Sequence, residues 1–286
     1  MLLSASNIHR FSLCPSSVLL PRTYSEPSQS SVKGTNIHDF ISKCIQYGSE
    51  DIARRSMPDR YMGRSVVGRL KFQEVVAGLK DLQTEVAIYW KVGEPDEFRI
   101  LGSNLGRNYY QAGAEDYNYV GSIDIVGVNE TTGNFVVVDV KTGLQEIEAV
   151  DSQQLQLLGY MLAHVLKVPR IETRITKVYD TGAVKTSSHV IEKEEMELHG
   201  KIFRSYHANV KENYREYTKG HETTFYTTDA TCKWCPCKTV CPAYEQWQST
   251  LEAEGRIKLT ESFFPTQTES ISPTQSTTNS LPESQP

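Results

Sequence analysis

Apolar residues recur along this chain at two spacings, and the switches between them predict an α/β fold. Ser4-Ala-Ser-Asn-Ile-His-Arg-Phe reads as an N-cap and a short helix leading to Cys14-Pro15. The Ser/Pro-rich stretch from Tyr24 to Ser31 reads as loop. From Gly34 the spacing predicts a helix, with Ile37, Phe40, Ile41, Cys44 and Ile45 on one face. Val67, Leu70, Val75, Leu79 and Leu82 extend helical spacing over roughly 66–82. Strand character then takes over at Thr84–Trp90, and the polar stretch 93–118 predicts a hairpin or an irregular insertion.

Tyr119–Val128 and Phe135–Lys141 read as strands joined by the turn Asn129–Asn134. A one-sided apolar helix is expected from Asp151 to Leu166, then a strand pair near 171–180 and 185–192, then a charged helix from Lys193 to Tyr217. The Ser, Thr, Pro and Gln of 262–286 predict a disordered tail after a single domain over 1–255. No internal repeat is visible.

The chain has 286 residues, 38% of them hydrophobic, which fits one substantial α/β domain with an appended element or two small domains. No run approaches the roughly 20 apolar residues of a spanning helix. The first residues lack a basic region followed by an apolar core, so a cytoplasmic protein is expected. Six cysteines in that setting point to metal binding rather than disulfides. The net charge of −5 neither advertises nor excludes a nucleic-acid partner. One local basic stretch, with Arg54, Arg55, Arg60, Arg64, Arg69 and Lys71 against Asp59, fits either a solvated helix face or a surface that tracks phosphates.

The chemistry concentrates in two places. Gly121-Ser-Ile-Asp124 ends one strand in a carboxylate, and Asp139-Val-Lys141 puts a second carboxylate and a lysine on the next. Asp139 and Lys141 are two apart and share a strand face. Two carboxylates can hold a hard divalent cation such as Mg²⁺ or Mn²⁺, and the Val140 carbonyl can also reach it. Lys141 would orient an attacking water or stabilise charge developing on a phosphate. His38, in Gly34-x3-His38, can add a nitrogen ligand. Gln156 and Tyr160 stand one turn apart on the following helix.

The second place is Cys232-x2-Cys235-x-Cys237-x3-Cys241. By spacing alone, the four local cysteines could bind zinc. Equally, Cys232, Cys235 and Cys241 could join a remote cysteine at an iron–sulfur cluster. Cys14, in a turn before Pro15, suits that remote role. Cys44, on an apolar helix face, reads as a core residue.

Taken in order, His38, Gly121-x-x-Asp124, Asp139-x-Lys141 and Gln156-x3-Tyr160 resemble the RecB-like branch of the PD-(D/E)XK nuclease superfamily. That resemblance implies a restriction-endonuclease-like core with a central mixed sheet flanked by helices. It implies metal ligation by His38, Asp124, Asp139 and the Val140 carbonyl. It makes Lys141 the catalytic lysine, places Gln156 and Tyr160 near the DNA, and matches Glu85 to an acid that some members carry.

The cysteine arrangement resembles that of small CRISPR-associated iron–sulfur exonucleases and the AddB nuclease domain. It implies a 4Fe-4S cluster on Cys14, Cys232, Cys235 and Cys241 that joins the two ends of the chain. The implied activity is a metal-dependent DNA exonuclease, acting 5′ to 3′ on single strands in recombination, repair or CRISPR adaptation. Its partners would be DNA that is single-stranded or has free ends, and a further copy or a recombination or CRISPR partner protein. The rival readings are a non-catalytic scaffold that binds DNA ends or a protein partner, and a zinc-stabilised nucleic-acid-binding protein.

Overall fold

The alternation in Phe135–Lys141 sends Val136, Val138 and Val140 to one side of a sheet and Val137 to the other, all essentially buried. The computed structural model describes residues 2–23, 28–58, 65–105, 108–143, 146–221, 223–228, 232 and 235–253. Among these, seven strands form one mixed sheet: β1 (Leu3–Ser4), β2 (Leu79–Lys91), β3 (Glu97–Ser103), β4 (Tyr119–Asn129), β5 (Phe135–Lys141), β6 (Ile171–Val178) and β7 (Val184–Ile191). Their order is β3-β2-β4-β5-β6-β7, and β1 runs parallel to the start of β4. Only β5 and β6 form a parallel pair along the main path. The connection between them carries a helix, as a parallel crossover requires.

One face is covered by α1 (Ile8–Leu13), α6 (Gln153–Leu166) and α7 (Lys193–Thr218). The other is covered by α2 (Gln29–Tyr47), α3 (Glu50–Ser56), α4 (Val66–Arg69) and α5 (Phe72–Val75). A last helix, α8, spans Pro242–Ala253. One unit runs Met1–Glu245 and holds the sheet and both groups of candidate residues. The expected tail at 262–286 lies outside the described residues.

Two elements differ from expectation. α2 begins at Gln29, inside the stretch read as loop, because the Ser28 hydroxyl accepts from the Ser31 N–H at 3.2 Å and caps the helix. The helix expected over 66–82 is instead two single turns followed by strand. Leu70 is extended (φ −68°, ψ 130°), and Gly78 turns the chain at φ +71° into β2. Val67, Leu70, Val75 and Leu79 do share one apolar cluster, so their spacing recorded burial rather than a continuous helix.

Part of the basic stretch is committed to structural contacts. Arg54 pairs with Glu50, lies over the Phe40 ring and donates to the carbonyls of Val67 and Leu70. Arg69 donates to the Asp180 carbonyl, while Arg60 and Arg64 lie outside the described residues.

Candidate active site

The sheet changes phase at two acids. On β4, Gly121 and Ile123 face the α1/α6/α7 side, whereas Ile125 and Gly127 face the α2–α5 side. On β2, Val86, Ile88 and Trp90 face the first side, whereas Leu82, an even number of residues before them, packs on the second. Glu85 sits at the change with φ +51°, a left-handed conformation that a non-glycine residue rarely takes within a strand. Pairing of β4 with β5 stops at Ile125↔Val138, one step before Asp124 and Asp139 would stand opposite each other. Beyond that point the Asp124 carboxylate replaces the ladder, accepting the Val140 N–H at 2.7 Å. Asp124 therefore lies inside β4 rather than at its end, as the sequence had implied, and marks where two strands part.

α2 brings His38 into this opening. Its Nδ1 is 3.3 Å from Asp124 Oδ1 and its Nε2 is 3.1 Å from the Val140 carbonyl oxygen. Burial favours the neutral ring, but Asp124, with Glu85 and Asp139 behind it, outweighs burial and raises the His38 pKa to about 9. Glu85 accepts from Ser122 Oγ at 3.0 Å, and burial followed by the Asp124 charge raises its pKa. Ligating atoms of His38, Glu85 and Asp124 all lie within 4.8 Å of one another.

Asp139 is only 4% exposed, and burial pushes its pKa up to about 6 against the opposing pull of Lys141. Its Oδ2 is 2.7 Å from Lys141 Nζ, yet makes no well-directed hydrogen bond. The Lys141 ammonium is also held by Gln154 Oε1 at 3.1 Å.

The two helix residues singled out in the sequence stand apart from the lysine. Gln156 is two residues, about 200°, around the helix from Gln154, and donates to the Val150 carbonyl at 2.7 Å instead. Tyr160 is buried among Trp90, Phe98, His164 and Phe203. Gln154 is therefore the side chain of this helix that reaches the lysine. A signal for it was present, since Gln153, Gln154 and Gln156 are all glutamines and only helical phase separates them.

The cysteines converge separately. Cys14, Cys232, Cys235 and Cys241 line one small cavity of about 20 Å³ with Arg10, Tyr226 and Tyr244. Burial raises the Cys14 pKa, and Cys241 and Cys235 add to the effect. Hydrogen bonds tie the two chain segments together, from Ser16 Oγ to the Thr224 carbonyl at 2.7 Å and from Thr23 N–H to the Pro236 carbonyl at 2.9 Å. Cys237 is turned elsewhere. Its thiol faces the carbonyl oxygens of Ser17 at 3.4 Å and Leu20 at 3.6 Å.

Against known families, residues 2–242 match the model of the PD-(D/E)XK nuclease superfamily. The chain belongs to the PD-(D/E)XK nuclease superfamily. Membership implies a nucleic-acid substrate and a fold whose enzymes generally use divalent metals. No curated protein matches the chain significantly. Among solved structures, SSO0001 is similar at 12% identity and TM-score 0.37, over 85% of this chain and 86% of the other. A candidate exonuclease from Eubacterium rectale is similar at 10% identity and TM-score 0.42, over 86% and 87%. No helix among the described residues is long and apolar enough to cross a membrane.

The residues present suit the metal that this superfamily uses. The Glu85 and Asp124 carboxylates and the His38 imidazole form a hard, anionic donor set, and Asp139 stands outside that close group with one oxygen buried without a hydrogen bond. His38 must shed a proton to ligate, so its raised pKa reflects the same field that would draw a cation. The cysteine cavity likewise offers four thiols from two distant segments, a set suited to iron–sulfur or zinc.

Proposed function

We propose that this protein is a Mg²⁺- or Mn²⁺-dependent deoxyribonuclease, an exonuclease that degrades single-stranded DNA from its 5′ end. The observation that carries the reading is the gathering of His38, Glu85 and Asp124 at the point where β4 and β5 part, with Asp139 and Lys141 beside them. Superfamily membership supports the chemistry, and the ordered resemblance to RecB-like exonucleases supports the polarity and the single-stranded end.

Asp124 and Asp139, with Glu85, His38 and the Val140 carbonyl, would hold the cation. When bound, it supplies positive charge to the scissile phosphate and lowers the pKa of an attacking water. Asp124 also caps the Val140 N–H, so its carboxylate has one fixed orientation. Asp139 and Gln154 hold the Lys141 ammonium from two sides. That leaves its remaining donor capacity for the water or for charge developing on the phosphate. Burial of Asp139 keeps bulk water from screening these charges.

Cys14, Cys232, Cys235 and Cys241 are assigned to a 4Fe-4S cluster that joins the chain's two ends. Their shared cavity supports this set, and the Cys237 thiol, engaged by carbonyl oxygens, falls outside it.

The test is degradation of single-stranded DNA labelled at either end, in Mn²⁺ or Mg²⁺, by anaerobically purified protein. Release of short labelled products from the 5′-labelled strand, and gradual shortening of the 3′-labelled one, is expected. Shortening of the 5′-labelled strand instead would overturn the polarity. Absence of metal-dependent cleavage would move the protein to the scaffold reading.

A further inference from the structure

Arg10 stands on α1 one helical turn before Cys14, whose N–H donates to the Arg10 carbonyl at 2.9 Å. The residue is only 8% exposed and lines the cavity of the four cysteines. Its Nη1 donates to the Ser17 carbonyl at 2.7 Å and lies 3.9 Å from Cys237 Sγ. Nε and Nη2 are buried with no hydrogen-bond partner, and no carboxylate pairs with the guanidinium among the described residues. A guanidinium cannot shed its proton to escape such a position. An unpaired buried charge is strongly unfavourable, so an anion is required nearby. Four thiolates outweigh the positive charge of an iron–sulfur core, and the assembled centre is such an anion.

We propose that Arg10 is the buried counter-cation of the cysteine centre, donating from Nε and Nη2 to its sulfur atoms. The proposal rests on the iron–sulfur reading above and adds a residue that tunes the centre without ligating it. A positive charge and N–H donors at the sulfurs favour the reduced, more negative state, so they raise the reduction potential. Removing them lowers the potential and weakens cluster retention. Cys237 meets the same guanidinium only at Nη1, the nitrogen that also donates to the Ser17 carbonyl.

The experiment compares full-length wild type, Arg10→Gln and Arg10→Lys, all purified anaerobically. Iron, zinc and acid-labile sulfide per chain, visible absorbance and the midpoint reduction potential are measured on each. Arg10→Gln is expected to shift the potential to more negative values and to lose iron faster to a chelator. Arg10→Lys keeps the charge but not the two-donor geometry, and is expected to fall between the other two. A wild-type potential and wild-type retention in either variant overturns the role of Arg10 while leaving the cysteine ligands standing. Wild type without iron and sulfide, or with zinc in their place, overturns the cluster reading and the proposal together.

Discussion

Replacing Tyr160 separates a core role from a catalytic one. The ring centroid lies 4.3 Å from His164, 5.0 Å from Trp90, 5.7 Å from Phe98 and 6.0 Å from Phe203, and the residue is 3% exposed. Truncation to alanine removes that packing and leaves a cavity, at a cost of about 3–5 kcal/mol. At about 2–4 °C per kcal/mol for a domain of this size, Tm should fall by roughly 6–20 °C. Tyr160→Phe removes only the hydroxyl, which rests against Gly200, where an added Cβ would come within 2.7 Å of it. The loss there should stay within about 1.5 kcal/mol. Thermal denaturation followed by circular dichroism, with cleavage of single-stranded DNA measured on the same samples, reads both effects. Tyr160→Phe should retain cleavage. A Phe variant with unchanged Tm and no activity would refute the placement of Tyr160 in the core alone.

Three further outcomes follow from particular contacts. Gln154→Ala frees the Lys141 ammonium on one side and should reduce cleavage by about 10–100-fold, as loss of a supporting hydrogen bond usually does, whereas Gln156→Ala should stay within a few-fold in the same assay. Gly121→Ala would place a Cβ 2.5 Å from Leu158 Cδ2 and 3.0 Å from Ala5 Cβ, so overpacking should cost about 1–3 kcal/mol in denaturant unfolding. Burial, with the Glu50 charge adding to it, pushes the Cys44 thiol up to about 12. At pH 8 the thiolate is then on the order of one part in ten thousand, and mass spectrometry should find Cys44 unalkylated by iodoacetamide until the protein is unfolded.

Several elements could be read from residues because each followed a single period. The strand Phe135–Lys141, the turn at Asn129–Asn134 and the helices over 153–166 and 193–218 all lie close to where their patterns put them. Asp139 and Lys141 were legible for the same reason, being two apart on one strand. What sequence missed depends on breaks in period. Glu85, which the resemblance alone picked out, looks by pattern like an ordinary residue entering a strand until its φ of +51° and the phase change at Asp124 bring two strands' acids together. Gln154 was hidden by neighbouring glutamines, since helical phase alone decides that it, and not Gln156, meets Lys141. The stretch 66–82 misled because apolar spacing reports a shared buried face, and two single turns with an extended residue between them can satisfy it. The association of Cys14 with the C-terminal cysteines rested on the resemblance, because spacing does not contain the chain topology that brings them to one cavity.

The most direct test of the central claim is the rate of Mn²⁺-dependent cleavage of single-stranded DNA by Lys141→Ala, set against wild type at equal, saturating metal. Lys141 is one-third exposed, with its ammonium fixed by Asp139 and Gln154, so the fold should survive its loss with an unchanged circular dichroism spectrum. Removing a preorganised charge from the reacting phosphate should reduce the rate by about 10²–10³-fold. A folded Lys141→Ala protein that cleaves within a few-fold of wild type would contradict the assignment of this site as the centre of hydrolysis.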